Sequence, residues 1–226
     1  MTLNNHTISL AGDWSFAMDS PETALDVREE PALPLCNTVQ LPGTTCTNEK
    51  GPANLDRMEQ RLSQPHLFVG PCWYSRAVEI PEEWLGKRVT LLLERTKFTR
   101  VWFGGRLIGD QPWICTPHEY VLTKSAVPGR HRLTVLVDNR QLPPYGSDAH
   151  QISENTQGNW NGIIGRIEIR ATSPMSIGSL QVYPDAARRT ADIALSIHNN
   201  STATQAHLKI TATGPGVSNN AYYIGT

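Results

Sequence analysis

The side chains best suited to holding a small polar ligand stand together in ENTQGNWNGIIGRIEIRAT, residues 154–172. Its first half sets Asn155, Gln157, Asn159 and Asn161 around Trp160. Each carboxamide offers donors and an acceptor, and the indole offers a broad apolar face with one N–H. A pyranose is complementary to both, because its C–H face stacks on an aromatic ring and its hydroxyls pair with amides. The same residues also suit a plain turn, with Asn and Gly serving the backbone and Trp160 capping an apolar core. Residue types leave both readings open. From Ile163 the stretch alternates, with Ile167 and Ile169 set against Arg166, Glu168 and Arg170, which is the period of a half-buried strand.

Bond-breaking chemistry is harder to find. Glycoside hydrolysis needs two carboxyl groups about 5–9 Å apart, and the polar segments offer Asp110, Glu119, Asp148 and Glu154. Asp148 and Glu154 share one polar stretch, yet no apolar pocket is legible there to raise one of them into the range of a general acid. Ser75 lies in WYSRA without a G-x-S-x-G elbow, and Cys72 beside Trp73 reads as packing. GPGV and FGGRLIG lead into strands or the chain end, not into a helix N-terminus that would cradle phosphate. His118 and Glu119 read as a surface pair and not as a metal site. No cofactor and no metal is expected.

Hydrophobic residues make up 39% and charged residues 18% of the 226, the balance of a globular chain. A net charge of -1 with scattered Lys and Arg gives no field to draw nucleic acid or an anionic membrane surface. No stretch approaches the roughly 20 apolar residues of a membrane span. MTLNNHTISLAGDW lacks a charged segment followed by an apolar one, so no signal peptide is expected. The compartment stays open, with periplasmic or secreted placed ahead of cytoplasmic. Cys36, Cys46, Cys72 and Cys115 lack zinc-site spacing and are expected as free thiols, Cys36–Cys46 being the pair to join if the protein is exported.

The elements that must position these residues are strands. RVTLLLER sets Val89, Leu91 and Leu93 on one face, and HRLTVLVDN does the same with Leu133, Val135 and Val137. KFTRVWFGGRLIGD predicts a hairpin turning at Gly104-Gly105. CWYSRAVEIPEEW predicts a strand stopped by Pro81 and a helical turn over 81–85. NLDRMEQRL, 54–62, predicts a short marginal helix inside the long connection 41–65, and a second long polar connection runs over 139–161. SPM marks a boundary near Pro174, followed by strands in SLQVYP, ADIALSIHN and AHLKITATG. The last segment, GPGVSNNAYYIGT, shows no obvious closing strand, so an exposed edge prone to self-association, hence a homo-oligomer, is expected. The class is all-β, a sandwich.

Several phrases in order resemble the N-terminal region of glycoside hydrolase family 2, the β-galactosidase, β-glucuronidase and β-mannosidase group. ISLAGDWSFAMD carries the opening phrase on Leu10, Gly12, Trp14 and Phe16, and LPGTT follows it. CWYSRAVEIPEEWLGKRVTLLLERTKFTRVWFGGRLIGDQPWICTPHEYVLT is the fullest match, and VPGRHRLTVLVDN and NWNGIIGRIEIR complete the set over residues 8–172. The resemblance implies a galactose-binding-like jelly-roll domain over 1–173 and an incomplete immunoglobulin-like sandwich over 174–226. It implies retaining hydrolysis by two glutamates on a TIM barrel that follows these domains, for which this chain has no room. Asn48-Glu49 in CTNEKGP is a loop dipeptide and not the barrel's acid/base phrase.

The resemblance also implies that the loop before NGIIGR, residues 154–161, lies near the barrel mouth, where some members place a polar side chain at the sugar or a bound cation. The loop at 68–71, FVGP, approaches the same place but has no polar side chain. Trp14, Trp73, Trp84 and Trp102 fall at core positions, Trp113 falls in a loop, and Arg166 reads as a structural ion pair. The chain is therefore expected to be a non-catalytic N-terminal portion of a family 2-like hydrolase that buttresses the barrel. Asn155, Asn159, Trp160 and Asn161 are its candidate sugar contacts. The expected partners are the barrel and a terminal β-glycoside, β-galactoside first and β-glucuronide or β-mannoside next. A stand-alone carbohydrate-binding module is the alternative, and a scaffold β-protein that binds no sugar is a third.

Overall fold

The computed structural model describes residues 6–225 apart from 24–26, 28, 31–34, 57–60, 142–143, 145, 204 and 215–216. The chain divides into two compact units, Met1–Thr172 and Ser173–Thr226. The first carries β1 (His6–Ser9), β2 (Gly12–Met18), β3 (Asn37–Leu41), β4 (Gly43–Thr44), β5 (Pro71–Ile80), β6 (Arg88–Arg95), β7 (Phe98–Phe103), β8 (Arg106–Gln111), β9 (His118–Val121), β10 (Gly129–Asp138) and β11 (Gly162–Thr172). One sheet runs β1-β11-β6-β9, with β4 also on β11, and the other runs β3-β2-β5-β10-β7-β8. From β5 onward the chain repeatedly crosses between the sheets, as a jelly-roll sandwich does.

The period-two pattern decides what lies between the sheets. Leu91, Leu93 and Ile169 from one sheet and Val101, Leu133, Val135 and Val137 from the other are fully buried. Trp14, Phe16 and Tyr74 fill the same core, each contributing roughly 2–3 kcal/mol of apolar burial. Trp73, Trp102 and Leu136 point to the opposite face of the second sheet. They are buried there because Val27 and Leu35 pack over them, and Trp73 Nε1 donates to Asp19 Oδ2 at 3.0 Å.

The expected hairpin forms. Gly104 and Gly105 join β7 to β8 with φ of 59° and 78°, a pair of left-handed positions that side chains resist. The helical turn after Pro81 is a short 3-10 segment, Glu82–Trp84, which buries Trp84. The helix expected at 54–62 does not appear at 54–56 or 61–62, and 57–60 lie outside the described residues. None of the four cysteines is joined in a disulfide; Cys72 is buried and Cys36 and Cys115 are exposed.

In the second unit β12 (Met175–Asp185) pairs with β13 (Thr190–Asn199), and β14 (Ala206–Gly214) pairs with β15 (Val217–Gly225). The last strand corrects the expectation that GPGVSNNAYYIGT contains none. Backbone pairing in a hairpin needs no apolar alternation, and Ser218-Asn219-Asn220 hid a strand that β-formers continue in Tyr222, Tyr223 and Ile224. In the first hairpin Ile177, Leu180 and Val182 stand opposite Ile197, Leu195 and Ile193 on one face. Of these six, all but Leu195 are substantially exposed.

Candidate functional site

The loop between β10 and β11 is built from the inside. Asn139, fully buried at its start, donates through Nδ2 to the carbonyls of Phe68 (2.9 Å) and Asn159 (3.0 Å). Its Oδ1 accepts from Gly70 N at 2.9 Å, and Asn159 Nδ2 returns a bond to the Asn139 carbonyl at 2.7 Å. At the loop's end Asn161 is also fully buried: Nδ2 donates to the carbonyls of Gly70 (2.9 Å) and Val137 (3.1 Å), and Oδ1 accepts from Tyr74 OH (3.1 Å). Thr45 N donates to the Asn161 carbonyl at 2.8 Å. The FVGP loop thus takes part through its backbone, as the surface that two asparagines grip.

The outer part of the loop is a run of turns. Ser153 N bonds back to the Ala149 carbonyl and Gly158 N to the Ser153 carbonyl, both at 2.9 Å, with Ile152 and Ser153 buried. Glu154 Oε1 accepts from Asn159 N at 3.0 Å, so this carboxylate caps the loop. Asn155 is exposed, and its Oδ1 takes Arg61 Nη1 at 3.1 Å. Trp160 is half-buried, with Lys97 Nζ 4.7 Å from its ring centroid. Lys97 is itself buried, and burial pushes its amine down to about 8. Gln151 Nε2 contacts Cys115 Sγ at 3.3 Å, which joins this loop to the one carrying exposed Trp113.

His118 holds that second loop and is not a surface residue. Alternation along β9 turns His118 and Tyr120 inward and Glu119 outward, so the expected surface pair is split across the sheet. His118 is fully buried; its Nε2 faces the Trp113 carbonyl and its Nδ1 lies 2.5 Å from Thr99 Oγ1, which in turn lies 2.6 Å from Tyr120 OH. A carbonyl only accepts, so Nε2 carries the hydrogen and Nδ1 accepts from Thr99. Burial lowers the His118 pKa below 6.5, and the Trp113 carbonyl opposes this in part. A depressed folded pKa gives stability that is complete above the unfolded value and lost as pH falls through the folded one. We therefore expect stability to fall from pH 7 to pH 5 in urea titrations, and His118→Gln to flatten that slope. Asp19 and Glu94, whose carboxyls are held below their ordinary values of 3.8 and 4.5, act only at lower pH.

The structure brings Asn159, Trp160 and Asn161 together at one end of the sandwich, with Asn155 on the same loop's outer turn. Their environments differ: Asn155 and Trp160 reach solvent, and Asn161 spends its carboxamide inside the protein. Asp110 pairs with Arg100 at 2.6 Å, away from the loop on β8, and Glu119 is exposed on β9. Arg166 makes the expected ion pair, its Nε 3.0 Å and its backbone N 2.7 Å from Glu94 Oε2. Trp14, Trp73, Trp84 and Trp102 are buried, as expected. Sequence reasoning missed Lys97, Asn139 and Tyr74; the only signal was that Lys97 and Asn139 adjoin strand ends near the loop, while Tyr74 lies inside β5. Among the described residues no group of three or more His, Cys, Asp or Glu side chains gathers to hold a metal, and no helix is long and apolar enough to cross a membrane.

The family model described as glycosyl hydrolases family 2, sugar binding domain, matches residues 7–171. A β-glucuronidase of Paenibacillus borealis is 24% identical, over 96% of this chain and 39% of the relative. A solved Faecalibacterium prausnitzii β-glucuronidase superposes with a TM-score of 0.64 at 24% identity, covering 98% of this chain and 40% of that one. A Ruminococcus gnavus β-glucuronidase superposes with a TM-score of 0.68 at 16% identity, covering 98% of this chain and 37% of that one. The chain thus spans about two fifths of the length of these relatives.

Proposed function

The chain belongs to glycosyl hydrolases family 2 through its sugar binding domain, and from that premise we propose that it serves an enzyme that removes terminal β-linked glucuronic acid with retention. The chain is the non-catalytic part: it buttresses a barrel that carries the two catalytic carboxylates, and lends the pocket one loop. The names of the relatives favour β-glucuronide over the β-galactoside placed first on resemblance. Residues 1–173 act as the jelly-roll domain and 174–226 as part of an immunoglobulin-like one.

The observation that carries the sugar contact is the loop's division of labour. Asn139 and Asn161 fix its backbone from below, which leaves Trp160 half-buried and Asn155 exposed. A ring held in place gives a sugar's C–H face a stacking surface at a reduced ordering cost, and exposed Asn155 lies on the same loop, whereas Asn159, its Nδ2 bound to the Asn139 carbonyl and its Oδ1 buried, braces the loop. Asn161 then contributes by shaping the loop.

The test is to express the chain with the coding sequence that follows Thr226 and to assay nitrophenyl β-glucuronide against the β-galactoside. Turnover of the glucuronide is expected to dominate. A stop codon directly after Thr226 would overturn the reading, and glucuronide binding by the chain alone would then favour the stand-alone module. In the active enzyme Trp160→Ala is expected to raise KM about tenfold, the worth of one aromatic stacking contact. Unchanged KM would remove Trp160 from the sugar site.

A further inference from the structure

Thr96 and Lys97 are the whole connection between β6, which ends at Arg95, and β7, which begins at Phe98. Both side chains reach the loop before β11. Thr96 Oγ1 donates to the Gly162 carbonyl at 2.8 Å. Lys97 Nζ donates to the Gln151 carbonyl at 3.4 Å and stands over the Trp160 ring. Two adjacent residues therefore hold this connection at Gln151, past its middle, and at Gly162, where it enters β11.

Lys97 is 2% exposed, so its ammonium is largely stripped of water and needs compensation from its surroundings. Among the described residues no carboxylate lies within ion-pair distance of it. Glu154 acts on it only at longer range and has one oxygen committed to Asn159 N. What compensates the charge is a backbone carbonyl and the negative face of an indole, both belonging to the loop. Attraction of this kind orients the ring as much as it stabilises the cation.

Resting on the sugar-contact reading above, we propose that Lys97 is a positioning residue whose ammonium holds the plane of Trp160, so that deprotonation of Lys97 releases the ring and the loop. The charged and titratable groups around it are Arg95 on β6, Cys115 on the loop before β9, and Glu154 on the gripped loop. Burial, reinforced by Arg95, lowers the amine's pKa to about 8, and Cys115 and Glu154 pull it back. The hold is therefore nearly complete at about pH 6, half lost at about pH 8 and lost as the pH rises further.

The experiment follows the indole N–H resonances of the six tryptophans in the 226-residue chain, with Trp160→Phe identifying the relevant one. In the wild type the Trp160 resonance should shift with a midpoint near pH 8. In Lys97→Met, which keeps the length of the side chain and removes a buried charge, it should not titrate, and amide exchange over 151–160 should rise several-fold. Lys97→Arg should hold the low-pH position up to pH 10. A flat wild-type resonance, or the same midpoint in Lys97→Met, overturns the proposal. Methyl β-D-glucuronide is added in a second arm. Binding should weaken about fivefold from pH 7 to pH 9 in the wild type and stay constant in Lys97→Arg, as expected for loss of a contact of about 1 kcal/mol. If the sugar moves no Trp160 signal at any pH, the sugar-contact reading fails, while the hold on the ring is still judged by the pH and variant results.

Discussion

Gly162→Ala is expected to cost about 4 kcal/mol, enough to leave a domain of ordinary stability barely folded. Gly162 opens β11 beside the two-residue strand β4, with Gly162 opposite Thr44 and Ile163 opposite Gly43. A Cβ at this position would sit 2.3 Å from the Gly43 carbonyl oxygen and 2.6 Å from Thr44 Cα. Both are backbone atoms, so no side chain can swing away; the strands themselves must part. The backbone adds to the penalty, because φ is 143°, outside the range that side chains accept readily. Overpacking of this kind costs about 1–3 kcal/mol and the conformation about 1–2 more. Gly129 separates the two contributions: its φ is 118°, but an added Cβ would meet nothing within 4 Å. Gly129→Ala should therefore cost only the conformational part. Urea midpoints of the two variants against the wild type test this, and a loss below about 1 kcal/mol for Gly162→Ala would mean that β4 and β11 do not approach as described.

Strand periodicity accounts for the parts of the molecule that were legible in the sequence. Alternation in RVTLLLER and HRLTVLVDN named the core residues Leu91, Leu93, Leu133, Val135 and Val137 correctly, because a strand with one buried face must repeat every second residue. Alternation alone did not foresee that Leu136, on the opposite face, is buried as well, nor that Trp73 and Trp102, expected in the core from the family resemblance, pack there with it and not between the sheets. Their cover comes from Val27 and Leu35, in a segment without periodicity. His118 was misread for a related reason: one polar residue in a strand is silent about its face until a hydroxyl such as Thr99 is found across the sandwich. At the candidate site the aromatic and the exposed amide of the loop could be picked out by type. Lys97 could not, since a lysine in a turn is ordinarily solvated, whereas here it is buried with Gln151 and Trp160 of the returning loop against it.

Asn161 is where residue type and environment differ most, and Asn161→Ala is expected to cost about 3–4 kcal/mol. Its carboxamide pairs with Tyr74 OH and with the carbonyls of Gly70 and Val137, joining β5, the FVGP loop and β10 at one point. Truncation leaves buried polar groups unpaired at about 1–3 kcal/mol each, a cost set by lost partners more than by lost volume. Asn161→Asp tests the chemistry without changing the shape. A carboxylate still accepts from Tyr74 but cannot donate to two carbonyls, so it should be at least as damaging as Ala. Asn155→Ala, by contrast, removes one exposed contact to Arg61 and should change stability by less than about 0.5 kcal/mol. The two neighbours thereby separate folding from recognition. Loss of glucuronide affinity in Asn155→Ala at unchanged stability would mark a direct contact, whereas in Asn161→Ala affinity and stability should fall together, because the loop that presents Trp160 is fastened through Asn161.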